Sequence, residues 1–181
     1  MNIGIIGTGA YGLSLALMFL ENNCNITMWT KFKDEKEWLE TRRESEKLPN
    51  IKIPNEIKFT NSIKDAIEEK DLILIAVPAG FVDDAAKELK LYMKKGQCIC
   101  IGSKGIEQDT CLFVSDVVLK YIKTRNIGVI SGPSFAIDIA NKVPIGLSLA
   151  TKSKKTERIL KKSLQNKYLK LRTTKDILGV E

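Results

Sequence analysis

The chain opens on a short apolar run, residues 3–6, that reads as a strand. After a glycine-rich stretch, the Leu, Ala, Met and Phe of residues 13–20 fall so as to bury one side of a helix that ends near Asn22 and Asn23. Residues 25–29 read as a second strand. Residues 34–46 are densely charged and predict a helix with Asp34 as a candidate N-cap, broken by Leu48, Pro49, Asn50 and Pro54. A short strand over 56–59 and a short helix over 62–69, capped by Ser62, come next. Residues 72–77 form a continuous apolar run, the mark of a strand buried on both faces of a parallel sheet, and Pro78 ends it. The pattern continues as a helix over 81–93, a strand over 97–101, a helix over 110–123 and a strand over 127–130. A strand over 146–150, a basic amphipathic helix over 152–164 and a strand over 168–172 complete it. Such alternation predicts an α/β fold: a doubly wound, Rossmann-type, mainly parallel sheet with helices on both faces and its site at the carboxyl ends of the strands. No repeat or low-complexity linker interrupts residues 1–174, which read as one domain.

The stretch between the first strand and the first helix is Gly7-Thr8-Gly9-Ala10-Tyr11-Gly12. Gly7 lets the chain leave the strand sharply, Gly9 lets backbone approach a pyrophosphate, and Gly12 lets the helix sit close on the strand. The amides and dipole of the first helical turn then meet phosphate charge. A lone GxGxxG is often only a turn. Between a strand and a helix at the start of an α/β pattern, it predicts a dinucleotide site.

Three further positions lie at strand ends. An NAD-selective site commonly carries Asp or Glu after the second strand, held to the ribose 2′-hydroxyl. Here Thr30 and Lys31 stand instead. A cation there favours NADP and leaves NAD open, although Lys31 and Lys33 also read as ordinary exposed loop lysines. Lys104, in Gly102-Ser103-Lys104-Gly105, leaves the fifth strand on a tight loop, where it would hold a phosphate or polarise a carbonyl, or serve only as a loop lysine. In Ser131-Gly132-Pro133-Ser134-Phe135-Ala136 a strand, a turn and a helix start recur. Pro133 is expected near the first helical position and the Ser134 hydroxyl and amide are expected to be free for an oxyanion, with helix capping the simpler account of the serines.

Composition narrows the chemistry. Histidine is absent from the 181 residues, which leaves lysine, carboxylate or tyrosine to move protons. The net charge of +7 is spread along the chain, densest over residues 152–162, and no aromatic interleaving accompanies it, so no nucleic-acid partner is expected. No apolar run approaches the roughly 20 residues that span a bilayer, so no integral membrane segment is expected and a cytoplasmic location is. Cys24, Cys98, Cys100 and Cys111 lack CxxC spacing and read as reduced thiols without a metal.

Taken together, the glycine turn, Met28-Trp29, Leu48-Pro49-Asn50, Val77-Pro78, Ser103-Lys104-Gly105-Ile106-Glu107 and Ser131-Gly132-Pro133-Ser134-Phe135-Ala136 are collinear with, and resemble, bacterial NAD(P)-dependent glycerol-3-phosphate dehydrogenase over the whole chain. The resemblance implies hydride transfer between the nicotinamide and dihydroxyacetone phosphate, giving sn-glycerol 3-phosphate for phospholipid synthesis. It assigns Ala10, Tyr11, Lys31 and Ala136 to the cofactor, Lys104 to both cofactor and substrate, and Gly132 and Ser134 to the substrate. Asp138 stands where the family often has Glu and receives no role. The resemblance also makes residues 175–181 the start of the helix that leads to the family's helical substrate domain, which, with the lysine that exchanges a proton with the C2 oxygen, would lie beyond residue 181. The chain is therefore expected to bind a dinucleotide and to turn over substrate slowly or not at all, and an apolar face at Ile177, Leu178 and Val180 would favour a homodimer. The rival readings are a related NADP-dependent keto-acid reductase and a non-catalytic module that senses the dinucleotide pool.

Overall fold

A computed structural model describes residues 1–108 and 110–181. In chain order the elements are β1 (Asn2–Ile6), α1 (Ala10–Glu21), β2 (Asn25–Trp29), α2 (Lys33–Arg42), β3 (Ile57–Thr60), α3 (Ile63–Ile67) and β4 (Leu72–Ile75). Then come α4 (Val82–Tyr92), β5 (Cys98–Ile101), α5 (Val114–Tyr121), β6 (Ile127–Ser131), α6 (Ala136–Ala140), β7 (Ile145–Thr151), α7 (Lys154–Leu164) and β8 (Leu169–Thr174). All eight strands form one sheet in the order β3-β2-β1-β4-β5-β6-β7-β8. The order reverses direction between β1 and β4, which creates the crevice at the carboxyl edge where doubly wound sheets bind ligands.

Alternation along the central strands decides the two layers. Ile3 and Ile5, Leu72 and Leu74, and Cys98 and Cys100 point into one core with Leu13, Leu15 and Phe19 of α1 and Leu160 and Leu164 of α7. Ile6, Ile73, Ile75, Ile99 and Ile101 point the other way, against Ile63 and Ile67 of α3, Val82 and Leu89 of α4, and Val114 and Val118 of α5. A strand buried on both faces has no polar side to show, hence the uninterrupted apolar run at β4.

Several boundaries shift for local reasons. Ser62 caps α3, its hydroxyl accepting from the Asp65 amide at 3.2 Å. Phe32, not Asp34, is the N-cap residue of α2, and Asp34 and Glu35 fall in its first turn, where their charge suits the helix dipole. The helix expected over 110–123 begins at Val114, because the Thr110 amide and hydroxyl are bound by the Glu107 carboxylate at 2.8 and 2.6 Å in a turn ahead of it. The mainly parallel sheet contains one reversal, where β6 and β7 pair antiparallel with Val129 opposite Ala150.

The segment after β8 departs from expectation. Residues 177–180 make a single turn rather than a helix, with the Val180 amide on the Ile177 carbonyl at 3.2 Å. Ile177 and Val180 pack on the core beneath α3 to α5, and only Leu178 of the three stands exposed. Glu181 then caps α5, accepting from the Ser115 amide at 2.5 Å and the Ser115 hydroxyl at 2.6 Å. The apolar face expected to favour a homodimer is thus largely covered. Among the described residues no helix is long and apolar enough to cross a membrane.

Candidate functional site

The glycine turn joins β1 to α1 at the carboxyl edge, and its three glycines have three different grounds. Gly7 has φ +114°, a conformation L side chains rarely adopt, and a Cβ there would stand 2.7 Å from the Ala76 carbonyl oxygen. A Cβ on Gly12 would lie 2.9 Å from the Gly7 carbonyl oxygen, so α1 can sit against the turn only because that atom is missing. Gly9 is different. Its φ of −67° and ψ of 167° suit any residue, and a Cβ there would meet nothing within 4 Å. The fold leaves this backbone bare towards open space. Gly9 is also the N-cap of α1, no side chain caps the helix, and no acidic residue occupies its first turn. Ala10 begins that turn, whose amides and positive dipole end remain directed at whatever approaches Gly9.

Tyr11 at the start of α1, Lys104 on the loop after β5 and Ser134 on the loop after β6 converge beside this turn. The loop after β5 is clamped on the end of β4: the Gly102 and Ser103 amides donate to the Ile75 carbonyl at 2.8 and 3.2 Å, and the Ser103 hydroxyl to the Val77 carbonyl at 2.5 Å. Gly102 makes room for the Tyr11 ring, since a Cβ there would touch it at 3.3 Å. Lys104, the first exposed residue of the loop, holds its ammonium 5.2 Å from the Tyr11 ring centroid. The Tyr11 hydroxyl and the Ser134 hydroxyl are both buried and face one another, and neither makes a well-formed hydrogen bond with a described residue. Burial pushes the Tyr11 phenol up, the buried Cys100 thiol adds to the rise, and the nearby Ser134 hydroxyl opposes it. Two buried hydroxyls without a well-formed partner lie beside the Lys104 ammonium, and buried polar groups of this kind ordinarily find one.

The loop after β6 corrects two expectations. Pro133 lies outside α6, whose first residue is Ala136 and whose N-cap is Phe135. The Ser134 amide is already spent on the Gly132 carbonyl at 2.9 Å and is not free for an oxyanion. Gly132 itself is pressed against β7, where a Cβ would stand 3.0 Å from Leu147 Cδ2. Ala136 is half-buried and packs on the core that holds α1.

On the far side of the glycine turn, at the end of β2, Lys31 is exposed and makes no hydrogen bond or ion pair with a described residue. Beside it lies a cluster that sequence reasoning passed over. The Glu35 carboxylate accepts from the Thr8 hydroxyl of the glycine turn at 2.8 Å, from the Thr30 hydroxyl and from the Lys47 ammonium. Burial acts to raise this carboxyl, but the hydrogen bonds from Lys47, Thr30 and Thr8 and the Lys47 charge outweigh it and hold it below the usual glutamate range. The available signal was weak, a threonine inside a glycine turn and one glutamate among many charges.

The arrangement fits a dinucleotide: a bare Gly9 and an uncapped helix start for the pyrophosphate, cations at both ends, and buried hydroxyls at one. A model of the NAD-dependent glycerol-3-phosphate dehydrogenase N-terminus matches residues 2–157. The glycerol-3-phosphate dehydrogenase [NAD(P)+] of Fusobacterium nucleatum is 33% identical over all of this chain and 55% of its own length. Its counterpart in Lactobacillus delbrueckii subsp. bulgaricus is 34% identical over 99% of this chain and 55% of its own length. Among solved structures, glycerol-3-phosphate dehydrogenase from Coxiella burnetii superposes with a TM-score of 0.93 at 26% identity, over 99% of this chain and 55% of that one. The chain spans about half the length of the curated relatives it matches. Its sheet, its glycine turn and the match over residues 2–157 together place this chain in the family of the NAD-dependent glycerol-3-phosphate dehydrogenase N-terminus.

Proposed function

We propose that this chain is the dinucleotide-binding part of a glycerol-3-phosphate dehydrogenase, an oxidoreductase that reduces dihydroxyacetone phosphate to sn-glycerol 3-phosphate for phospholipid synthesis in the cytoplasm. The observation that carries the reading is Gly9: its backbone geometry suits any residue, its Cβ position faces open space, and the uncapped start of α1 lies against it. Those features suit a pyrophosphate that takes hydrogen bonds from backbone and needs the room a side chain would fill. A nicotinamide bound there would provide the hydride chemistry of the reaction, and the residues around it would hold and orient it.

The chain's own residues bind, orient and balance charge. Tyr11 and Ser134 offer hydroxyls from a water-poor floor, where an unpartnered donor gains most from a ligand oxygen. Lys104, above them, supports negative charge on a substrate phosphate or on the alkoxide oxygen that develops at C2. Gly132 shapes the wall beside Ser134 through its contact with β7. At the opposite end Lys31 favours NADP through the 2′-phosphate, an interaction of an exposed lysine and therefore salt-sensitive.

Calorimetric titration of the chain with NADPH and NADH, with Lys31→Ala alongside, tests this. NADPH is expected to bind more tightly, and the substitution to remove about tenfold of that difference, the size of one charge-assisted contact at a partly solvated site. If neither nucleotide binds, the assignment fails. If both bind and Lys31→Ala changes nothing, the NADP preference fails alone.

A further inference from the structure

The Glu35 cluster has no part in the reading above, yet it occupies the place where dinucleotide sites choose their cofactor. Thr8 belongs to the glycine turn and Thr30 directly follows β2, and both hydroxyls donate to the same carboxylate oxygen, Oε2. The carboxylate is thereby fixed between the pyrophosphate turn and the end of β2, where an acid from the strand itself usually meets the adenosine ribose. Here the acid arrives from the first turn of α2 instead. Lys47, on the loop that follows α2, holds the other oxygen, Oε1.

The occupancy of the carboxylate matters. An ionised carboxylate offers about four acceptor positions. Thr8, Thr30 and Lys47 take three, and no other described residue hydrogen-bonds to the Glu35 carboxylate, so among the described residues one acceptor position is left. The Glu35 side chain is 20% exposed, enough for a ligand hydroxyl to reach it while protein covers the rest. Its charge is secured by its surroundings, since the same three donors keep the group ionised.

Resting on the dinucleotide reading, we propose that Glu35 is the residue that admits NAD: its free acceptor position takes a ribose hydroxyl of the adenosine half, and its charge weighs against a 2′-phosphate in opposition to Lys31. Lys47 sets how strongly that charge is felt. With its ammonium in place the carboxylate is half neutralised and both nucleotides are accepted; without it the carboxylate faces the ribose with its full charge. The two members of one ion pair therefore act on cofactor choice in opposite senses.

That opposition provides the test, read as binding affinity and not as turnover. NADH and NADPH are titrated by fluorescence against the unaltered chain, Glu35→Gln and Lys47→Met, with adenosine 5′-monophosphate and adenosine 2′,5′-bisphosphate as probes of the adenosine half alone. Glu35→Gln is expected to raise the NADPH-to-NADH affinity ratio about tenfold or more, the loss of one charged contact. Lys47→Met is expected to lower it. Thermal melting of each variant accompanies the titrations. If both variants weaken both nucleotides in proportion, Glu35 only ties the turn to α2 and the proposal is overturned. An unmoved ratio in Glu35→Gln overturns it too, while leaving the dinucleotide reading intact. If the unaltered chain binds neither nucleotide, both fall together.

Discussion

A Gly9→Val chain is expected to melt at the temperature of the unaltered protein and to lose about 100-fold or more in affinity for NADH and NADPH alike. The first half of that expectation follows from the backbone. At φ −67° and ψ 167° valine is unstrained, and its Cβ would meet no protein atom within 4 Å. The second half follows from what the bare position serves. A branched side chain would stand where a pyrophosphate must approach the amides of the first turn of α1, and a steric intrusion of that kind costs about 1–3 kcal/mol or more. At 1.4 kcal/mol per decade the upper part of that range is about 100-fold. Calorimetry and a melting curve on the same sample check both halves. A variant that melts normally and still binds with unchanged affinity would remove the pyrophosphate from this turn and with it the proposed function.

Gly4→Ala carries the opposite expectation, a large loss of stability with no direct connection to the ligand. Gly4 lies in the middle of β1, paired with Thr27 on one side and Ile73 on the other. A Cβ there would come within 2.1 Å of the Ala66 carbonyl oxygen in α3. That neighbour is backbone, so no side-chain rotation relieves the clash, and either α3 or the central strand must move. The penalty belongs at or above the top of the usual overpacking range, about 3 kcal/mol. For a domain of this size each kcal/mol lowers the melting temperature by about 2–4 °C, so a fall of roughly 10 °C or failure to fold is expected. Melting within a few degrees of the unaltered protein would mean that α3 gives way to a Cβ at this position at little cost. Ala66 itself is fully buried, which leaves α3 little room to retreat.

These two glycines also mark what the sequence makes legible. Strand and helix alternation, the glycine turn and the Ser62 cap can all be read directly, because each is a local pattern with a local cause. Gly4 is passed over inside an apolar run, although an isolated glycine in a strand is a known sign of close backbone approach. The antiparallel pairing of β6 and β7 is not readable for a different reason. The alternation of Leu147 and Leu149 tells which face is buried and says nothing about direction along the sheet. Around the site, Lys104 can be singled out from its place after a strand and Tyr11 only from the family resemblance, whereas the approach of the Lys104 ammonium to the Tyr11 ring and the two buried hydroxyls depend on how separate segments meet. Glu35 is hidden among the charges of Lys33–Arg42, and only the fold brings it to Thr8 and Thr30. Ser134 shows the converse: the motif offers its amide as free, and the amide is taken up by a turn that the motif does not reveal.

The sheet order has a consequence for how the site comes into being as the chain folds. β1 pairs on one side with β2, which follows it after a single helix, and on the other with β4, so that Asn2 meets Asn25 but Ile3 meets Leu72. The nearer pairing closes a short loop and the farther one a long loop, and the entropy of closure favours the first. β1, α1 and β2 thus form a local unit that already contains the glycine turn and Thr30. The walls against which that turn is tightened come later: Ala76, whose carbonyl crowds Gly7, follows β4, and Gly102, which receives the Tyr11 ring, follows β5. The Gly9 end of the site is thus built from local pairings, and the end that holds Lys104 and Ser134 from long-range ones.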